Sequence, residues 1–353
     1  MNRAEAGPAA ESRPQELESD SDLTARVADS LARWAPEARL VSMSAVGAGS
    51  SGRTFTVRLE RDGPDKHVYV KAAPAGLQPI RNRDVVRQAR LLRLLSERTS
   101  IPVPPVLHVE PGQPPAVPPF YVLAEVEGEC WEPLTDESGR TPPPQQIRDR
   151  VFDATAHLTH LHSIPVELLA SVGLERVELA AEVGMWVRAL QRADAAELLD
   201  LGTSCAQALL DRIPDPLSPT LVHGDFRLGN QICAEATVRA ILDWEISTIS
   251  DPRIDLAWFL MTLSGQTLPS AVRDHVPGLP DADTVLHHYE STSGRPLAAM
   301  SWFAALAGLR GAAAMALNVK HNRRSAAPSA RVERYSGLLP RYLQTARSLL
   351  QSS

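Results

Sequence analysis

The chain has 353 residues, 44% hydrophobic and 22% charged, which is enough apolar content for a sizeable core and excludes a largely disordered chain. A net charge of −6 argues against a general nucleic-acid binder, which would carry a basic surplus. The three cysteines, Cys130, Cys205 and Cys233, are odd in number and form no CxxC pair, so they are expected to be reduced thiols of a cytoplasmic protein.

Residues 1–21 are rich in Glu, Ser, Pro and Ala without apolar periodicity, and are expected to be a disordered tail. No basic region followed by an apolar run opens the sequence, so no signal peptide is expected. A helix is predicted from Ser21 or Asp22, with Leu23, Val27 and Leu31 on one face. The run GAGSSGRTFTVRL then sets a Gly-Ser turn (Gly47, Gly49, Ser50, Ser51, Gly52) between strands, with Phe55, Val57 and Leu59 alternating in period two. A second strand, His67 to Lys71, puts Tyr69 and Lys71 on the face opposite Val68 and Val70. A helix from Val85 to Leu95 ends before the Pro-rich IPVPPVL, which must be extended. Phe120 to Leu123 is a further strand, leading into Glu125–Gly128. Beyond it the chain turns helical: Ile147, Val151, Ala154, Leu158 and Leu161 form one stripe, and an Ala/Leu-rich region follows Met300 with a break near Pro328. Its apolar run, Trp302 to Leu317, is too short for a bilayer and contains Arg310, so no membrane span is expected.

Leu221 to Trp258 carries the chemistry, as VHGDFRLGN, then AILDWE, then SDPRIDLAW. Asp225 follows a short apolar strand, Asn230 comes five residues later, and a second strand, Ala240 to Leu242, delivers Asp243. One acid to handle a proton, with an amide and a second acid to hold a metal, is what metal-assisted phosphoryl transfer requires, in the order of a kinase site. Asp225 is the candidate to accept or orient a substrate hydroxyl proton. Asn230 and Asp243 are hard oxygen ligands of the kind Mg²⁺ prefers. Glu245 is placed either to reach the same ion or to fix the next loop. Arg227 is placed to meet a phosphate or acidic substrate group, or to form a structural ion pair. The backbone of Gly49, Ser50, Ser51 and Gly52 can offer N–H groups to phosphates, although the run matches neither G-x-G-x-x-G nor Walker A. His157 and His160 share a helical face but His162 does not, and no Cys completes a metal set, so structural roles are expected for them.

These motifs resemble the aminoglycoside phosphotransferase-like, kinase-like family. The DWE and DPRIDLAW runs look nearest to the branch related to kinase-like domains fused to acyl-CoA dehydrogenases. The resemblance runs from about Val46 to Trp258 and implies an α+β, bilobal protein-kinase-like fold. A small antiparallel-sheet N-lobe would occupy 22–126 and a mostly helical C-lobe 127–353, with nucleotide held between them. It implies ATP with Mg²⁺ as cofactor, GTP not being excluded, and a small hydroxylated molecule as acceptor. It further implies that Lys71 contacts the α- and β-phosphates, that Ala124 offers its carbonyl and Val126 its N–H to adenine, and that His223, Asp251 and Asp255 support the catalytic loop. The family pairs its strand lysine with a Glu on the following helix. Here Gln88 fills that position, so either Asp84 takes over or the lysine is held more loosely.

The reading that follows is a small-molecule kinase transferring the γ-phosphoryl group of Mg-ATP to a hydroxyl of an antibiotic or metabolite, the branch hinting at a hydroxy acid or its CoA ester. The alternative is a non-catalytic nucleotide-binding pseudokinase, which the intact Asp225, Asn230 and Asp243 oppose. Acids outnumber bases two to one over residues 131–220, whereas residues 301–353 are strongly basic. If the basic residues and Arg227 face the acceptor, it is neutral or anionic; if the acidic ones do, it is cationic. The sequence does not fix the oligomeric state.

Overall fold

The computed structural model describes residues 18–46, 53–61, 66–193, 195–265, 267–325 and 328–351. The Gly-Ser turn, with Gly49, Ser50, Ser51 and Gly52, lies outside the described residues, as does most of the expected tail. Two compact units emerge: Met1–Val86 with His108–Val122, and Arg87–Leu107 with Leu123–Ser353. Compared with a single cut after residue 126, this division gives residues 87–107 to the second unit.

In the first unit Ser19 caps α1 (Asp20–Trp34). Its hydroxyl accepts from the Asp22 N–H at 3.2 Å, while the Asp22 carboxylate accepts from the Ser19 N–H at 3.0 Å. Helix α1 therefore starts one or two residues before the predicted point, because the cap lies inside the polar run. Strands β1 (Arg39–Ala45), β2 (Arg53–Glu60) and β3 (Lys66–Ala72) pair antiparallel in sequence order. Helix α2 (Val85–Arg98) follows, then β4 (Val106–Glu110) and β5 (Phe120–Ala124), completing a five-stranded sheet of order β1-β2-β3-β5-β4. The end of the Pro-rich run is thus a true strand. The period-two residues Phe55, Val57 and Leu59 join Val68, Val70, Leu23, Val27, Leu31, Phe120 and Val122 in one core. Each such side chain contributes about 1.5–3 kcal/mol when fully buried. Lys71, opposite Thr54 in register, is on the other, half-buried face of β3.

The second unit is mainly helical: it takes nearly all of α2, then α3 (Pro144–Ser163), α4 (Leu179–Arg192), α5 (Ala196–Leu210) and strands β6 (Thr220–Val222), β7 (Gln231–Ala234), β8 (Thr237–Ile241) and β9 (Thr248–Ser250). Helices α6 (Arg253–Leu263), α7 (Ala282–Ser293), α8 (Met300–Arg323), α9 (Ala330–Arg334) and α10 (Leu339–Gln351) complete it. The predicted stripe of α3 is fully buried. Helix α8 has 24 residues and is, by length and composition only, long and apolar enough to cross a membrane. It is instead the axis of the unit's core, burying Leu306, Leu309 and Ala313 in one cluster with Leu190 of α4, Met261 of α6, and Tyr342, Leu343 and Ala346 of α10. An antiparallel sheet in one unit and helices in the other give the α+β make-up of a kinase-like fold.

Candidate active site

Two short ladders position the site. Strand β6 pairs antiparallel with β9, Val222 opposite Thr248, and β7 pairs with β8. The chain leaves β6 through His223, Gly224 and Asp225. Gly224 has φ 88°, and a Cβ there would lie 2.8 Å from the Ile246 carbonyl oxygen, so only glycine fits the turn. Asp255, in the first turn of α6 and fully buried, holds this turn by its backbone. Its carboxylate accepts from the N–H of His223 at 2.7 Å and of Gly224 at 2.8 Å. Burial alone would push the Asp255 carboxyl up, but His162, His223 and these donors hold it below the usual carboxylate range. Asp251 braces the chain just ahead of α6, bonded to Arg253 and to the Leu217 N–H at 2.9 Å.

His223 supports the loop, as the resemblance implied. Its Nδ1 accepts from the Asp225 N–H at 3.0 Å, so the contact of Nε2 with the Leu242 carbonyl at 2.8 Å requires the proton on Nε2. The ring thereby ties the Asp225 turn to the end of the β7–β8 hairpin. His162 is likewise structural, 2.7 Å from the Tyr289 hydroxyl and facing Asp255.

The Asp225 side chain is 22% exposed. Its Oδ1 accepts from the Trp258 indole N–H at 2.7 Å, and its Oδ2 accepts from Asn230 Nδ2 at 2.8 Å and, more weakly, from Arg227 Nε at 3.4 Å. Burial would raise its pKa, yet the charges of Arg227 and Arg310, with His223 and the Asn230 bond, hold it below the ordinary aspartate value. It is therefore a carboxylate at neutral pH, with lone pairs left for a hydroxyl.

Asn230 donates to the Asp225 carbonyl as well, at 2.9 Å, and its own carbonyl accepts from the Leu242 N–H at 2.8 Å. That bond brings Asp243, the next residue, to the same end of the hairpin. Asp243 is left-handed, φ 63° and ψ 57°, a conformation that costs a non-glycine residue about 1–3 kcal/mol and clusters at functional sites. With Nδ2 of Asn230 committed to Asp225, its Oδ1 and the Asp243 carboxylate would be the two hard oxygens offered to a cation. No group of three His, Cys, Asp or Glu residues suited to a metal occurs among the described residues. Two oxygens suit an ion that takes its remaining ligands from water and phosphate, as Mg²⁺ does.

Arg227 forms the ion pair that the sequence left as one of two options: Nη1 lies 2.7 Å from Glu132 Oε2, which also accepts from the Gly229 N–H at 3.0 Å. Burial raises the Glu132 carboxyl, against the pull of Arg227. Glu245 helps fix its loop through its backbone, because Arg87 of α2 donates to the carbonyls of Glu245 at 2.8 Å and Ser247 at 3.0 Å. Gln88, beside it, is buried. The Ala124 N–H is taken by the Pro105 carbonyl at 2.9 Å. Sequence reasoning missed Arg87, Glu132, Arg310 and the role of Trp258. Only Trp258 had a signal, its place at the end of DPRIDLAW.

Residues 42–284 match the model of the phosphotransferase enzyme family. The chain belongs to that family. Among curated relatives it is 31% identical over 219 residues to acyl-CoA dehydrogenase family member 11 of Homo sapiens, and 28% over 215 residues to family member 10 of Mus musculus. Each match covers 60% of this chain but only 27% and 19% of those longer proteins, so the chain spans about a quarter or less of their length. The crystal structure of an inferred aminoglycoside phosphotransferase from Ralstonia eutropha superposes with TM-score 0.67 at 21% identity, covering 88% of this chain and 93% of that one. The GDP and kanamycin complex of an aminoglycoside 2″-phosphotransferase gives 0.61 at 16% identity, covering 92% and 98%. A streptomycin–ATP ternary complex of another gives 0.55 at 15%, covering 92% and 99%. At these identities the shared property is the fold, that of kinase-type phosphotransferases.

Proposed function

We propose that the chain is a small-molecule kinase that transfers the γ-phosphoryl group of ATP to a hydroxyl of an antibiotic or metabolite. The observation that carries the reading is the ionised Asp225, held by Trp258, Asn230 and Arg227. Asp225 orients the acceptor hydroxyl and takes its proton as the new O–P bond forms. Asn230 and Asp243 would hold Mg²⁺, which would supply positive charge against that developing on the transferred group. Lys71 is assigned to the phosphates, and Ala124 and Val126 to the base, by family resemblance. ATP is the preferred donor in this reading; the GDP-bound relative keeps GTP as a second one to test.

The test is phosphate transfer from ATP and Mg²⁺ to a panel of hydroxylated compounds, with Asp225→Asn alongside. The variant is expected to bind nucleotide but to lose roughly 10²–10⁴-fold in turnover. Wild-type turnover in Asp225→Asn would refute the assignment.

A further inference from the structure

Arg310, midway along α8, is 4% exposed, its guanidinium carbon 4.6 Å from the ring centroid of Trp258 and 5.1 Å from that of Trp186 on α4. Among the described residues this guanidinium makes no hydrogen bond and no ion pair. Arg253, similarly buried, makes side-chain hydrogen bonds to Asp251, Ala298 and Asp215. The Arg310 nitrogens are not among the buried atoms left without a partner, so with no protein acceptor they keep contact with solvent and are open to an anionic partner. The acids around Arg310 act on it only from a distance. Glu182 is one turn before Trp186 and accepts from its indole N–H at 2.8 Å, and Asp225 is bonded to the edge of Trp258.

The two indoles satisfy the faces of the guanidinium by cation–π contact and leave its N–H edge. Both indoles are partly exposed, so the stack can be reached from solvent. Trp258 is a shared wall: its N–H edge holds the catalytic carboxylate and its face carries Arg310. A molecule whose hydroxyl met Asp225 at the edge of Trp258 would have Arg310 on the face of the same indole.

We propose that Arg310, clamped between Trp186 and Trp258, binds an oxyanion of the acceptor, a carboxylate or a phosphate carried a few bonds from the reacting hydroxyl. The proposal rests on the kinase reading above and gives its acceptor a chemical class. Arg310 is a specificity residue in this scheme, and the proton still passes to Asp225.

The experiment compares acceptors in pairs: 2-, 3- and 4-hydroxybutyrate each against its amide, and glycerol 2-phosphate against glycerol, which separates the carboxylate from the phosphate source. Phosphorylation rates and calorimetric binding are measured for wild type, Arg310→Met and Arg310→Lys, with thermal unfolding to confirm folding. The expected result is a preference for the charged member of at least one pair, about 100-fold for two charge-assisted bonds. That ratio should fall to about one in Arg310→Met and be partly kept in Arg310→Lys, which retains charge but not the planar fork. If Arg310→Met does not fold, the drop in ratio in Arg310→Lys decides. Equal binding and rates within every pair, or an unchanged ratio in the variants, overturns the proposal. Asp225→Asn in the same assays separates the two readings: wild-type turnover there sinks the kinase assignment, whereas oxyanion binding at Arg310 is read by calorimetry without turnover.

Discussion

Replacing Asp255 by Asn changes one oxygen for an amide nitrogen at a fully buried position. The carboxylate now receives the N–H of Gly224 on Oδ1 at 2.8 Å and that of His223 on Oδ2 at 2.7 Å, with His162 at 3.4 Å. An amide keeps one acceptor and turns an NH₂ group towards the other N–H. One charge-assisted bond of about 1.5–3 kcal/mol is lost, and a buried donor is left without a partner at about 1–3 kcal/mol. The sum, about 2.5–6 kcal/mol, is a large part of the 5–15 kcal/mol typical of a folded domain. Because the lost bonds position Asp225, turnover should also fall by about 100-fold. Urea unfolding followed by tryptophan fluorescence is the assay, since five of the six tryptophans lie in the second unit. The folded-state pKa of Asp255 is depressed, so its contribution is complete above the unfolded aspartate value near 3.9 and is lost only as pH falls through the folded value. The gap between wild type and variant should thus be constant from pH 7 to 5 and close only in stronger acid. A loss below about 1 kcal/mol with unchanged turnover, or a gap that closes between pH 7 and 5, would refute the reasoning.

Asp243→Ala should abolish Mg²⁺-dependent nucleotide binding, because the Asn230 amide alone is a weak anchor for a hard cation; calorimetry with and without Mg²⁺ checks this. Arg227→Met removes the largest of the influences that keep the Asp225 pKa low, so the acid limb of the pH–rate profile should move to higher pH, and an unmoved limb would show that another group controls it. Gly224→Ala should cost at least about 100-fold in turnover, since its Cβ would strike the Ile246 carbonyl and φ 88° strains any L side chain; normal kinetics would mean that the turn can relax.

Much of the fold was legible because local pattern and tertiary burial agree. The period-two run of β2 and the i, i+3, i+4 stripe of α3 are both buried as spacing demands. Asp225, Asn230 and Asp243 stand out in the sequence because they follow the order of a kinase template, and the structure adds the bond from Asn230 to Asp225. Their partners do not, since nothing in CWEP says that Glu132 will meet Arg227, 95 residues on. Arg87 was hidden for the same reason, its targets being backbone carbonyls that carry no sequence signature. The extent of α8 was legible too, from the Ala/Leu-rich run that starts at Met300.

The β7–β8 hairpin has Asn230 just before its first strand and Asp243 two residues after its second. Its base is closed by the Leu242–Asn230 bond, and its turn is gripped from α3 by Arg150, which donates to the Glu235 carbonyl. Both residues thus sit on one hairpin held at its two ends, and Asn230 and Leu242 are bonded to the Asp225 turn itself, so any shift of the hairpin would carry Asn230, Asp243 and Asp225 together.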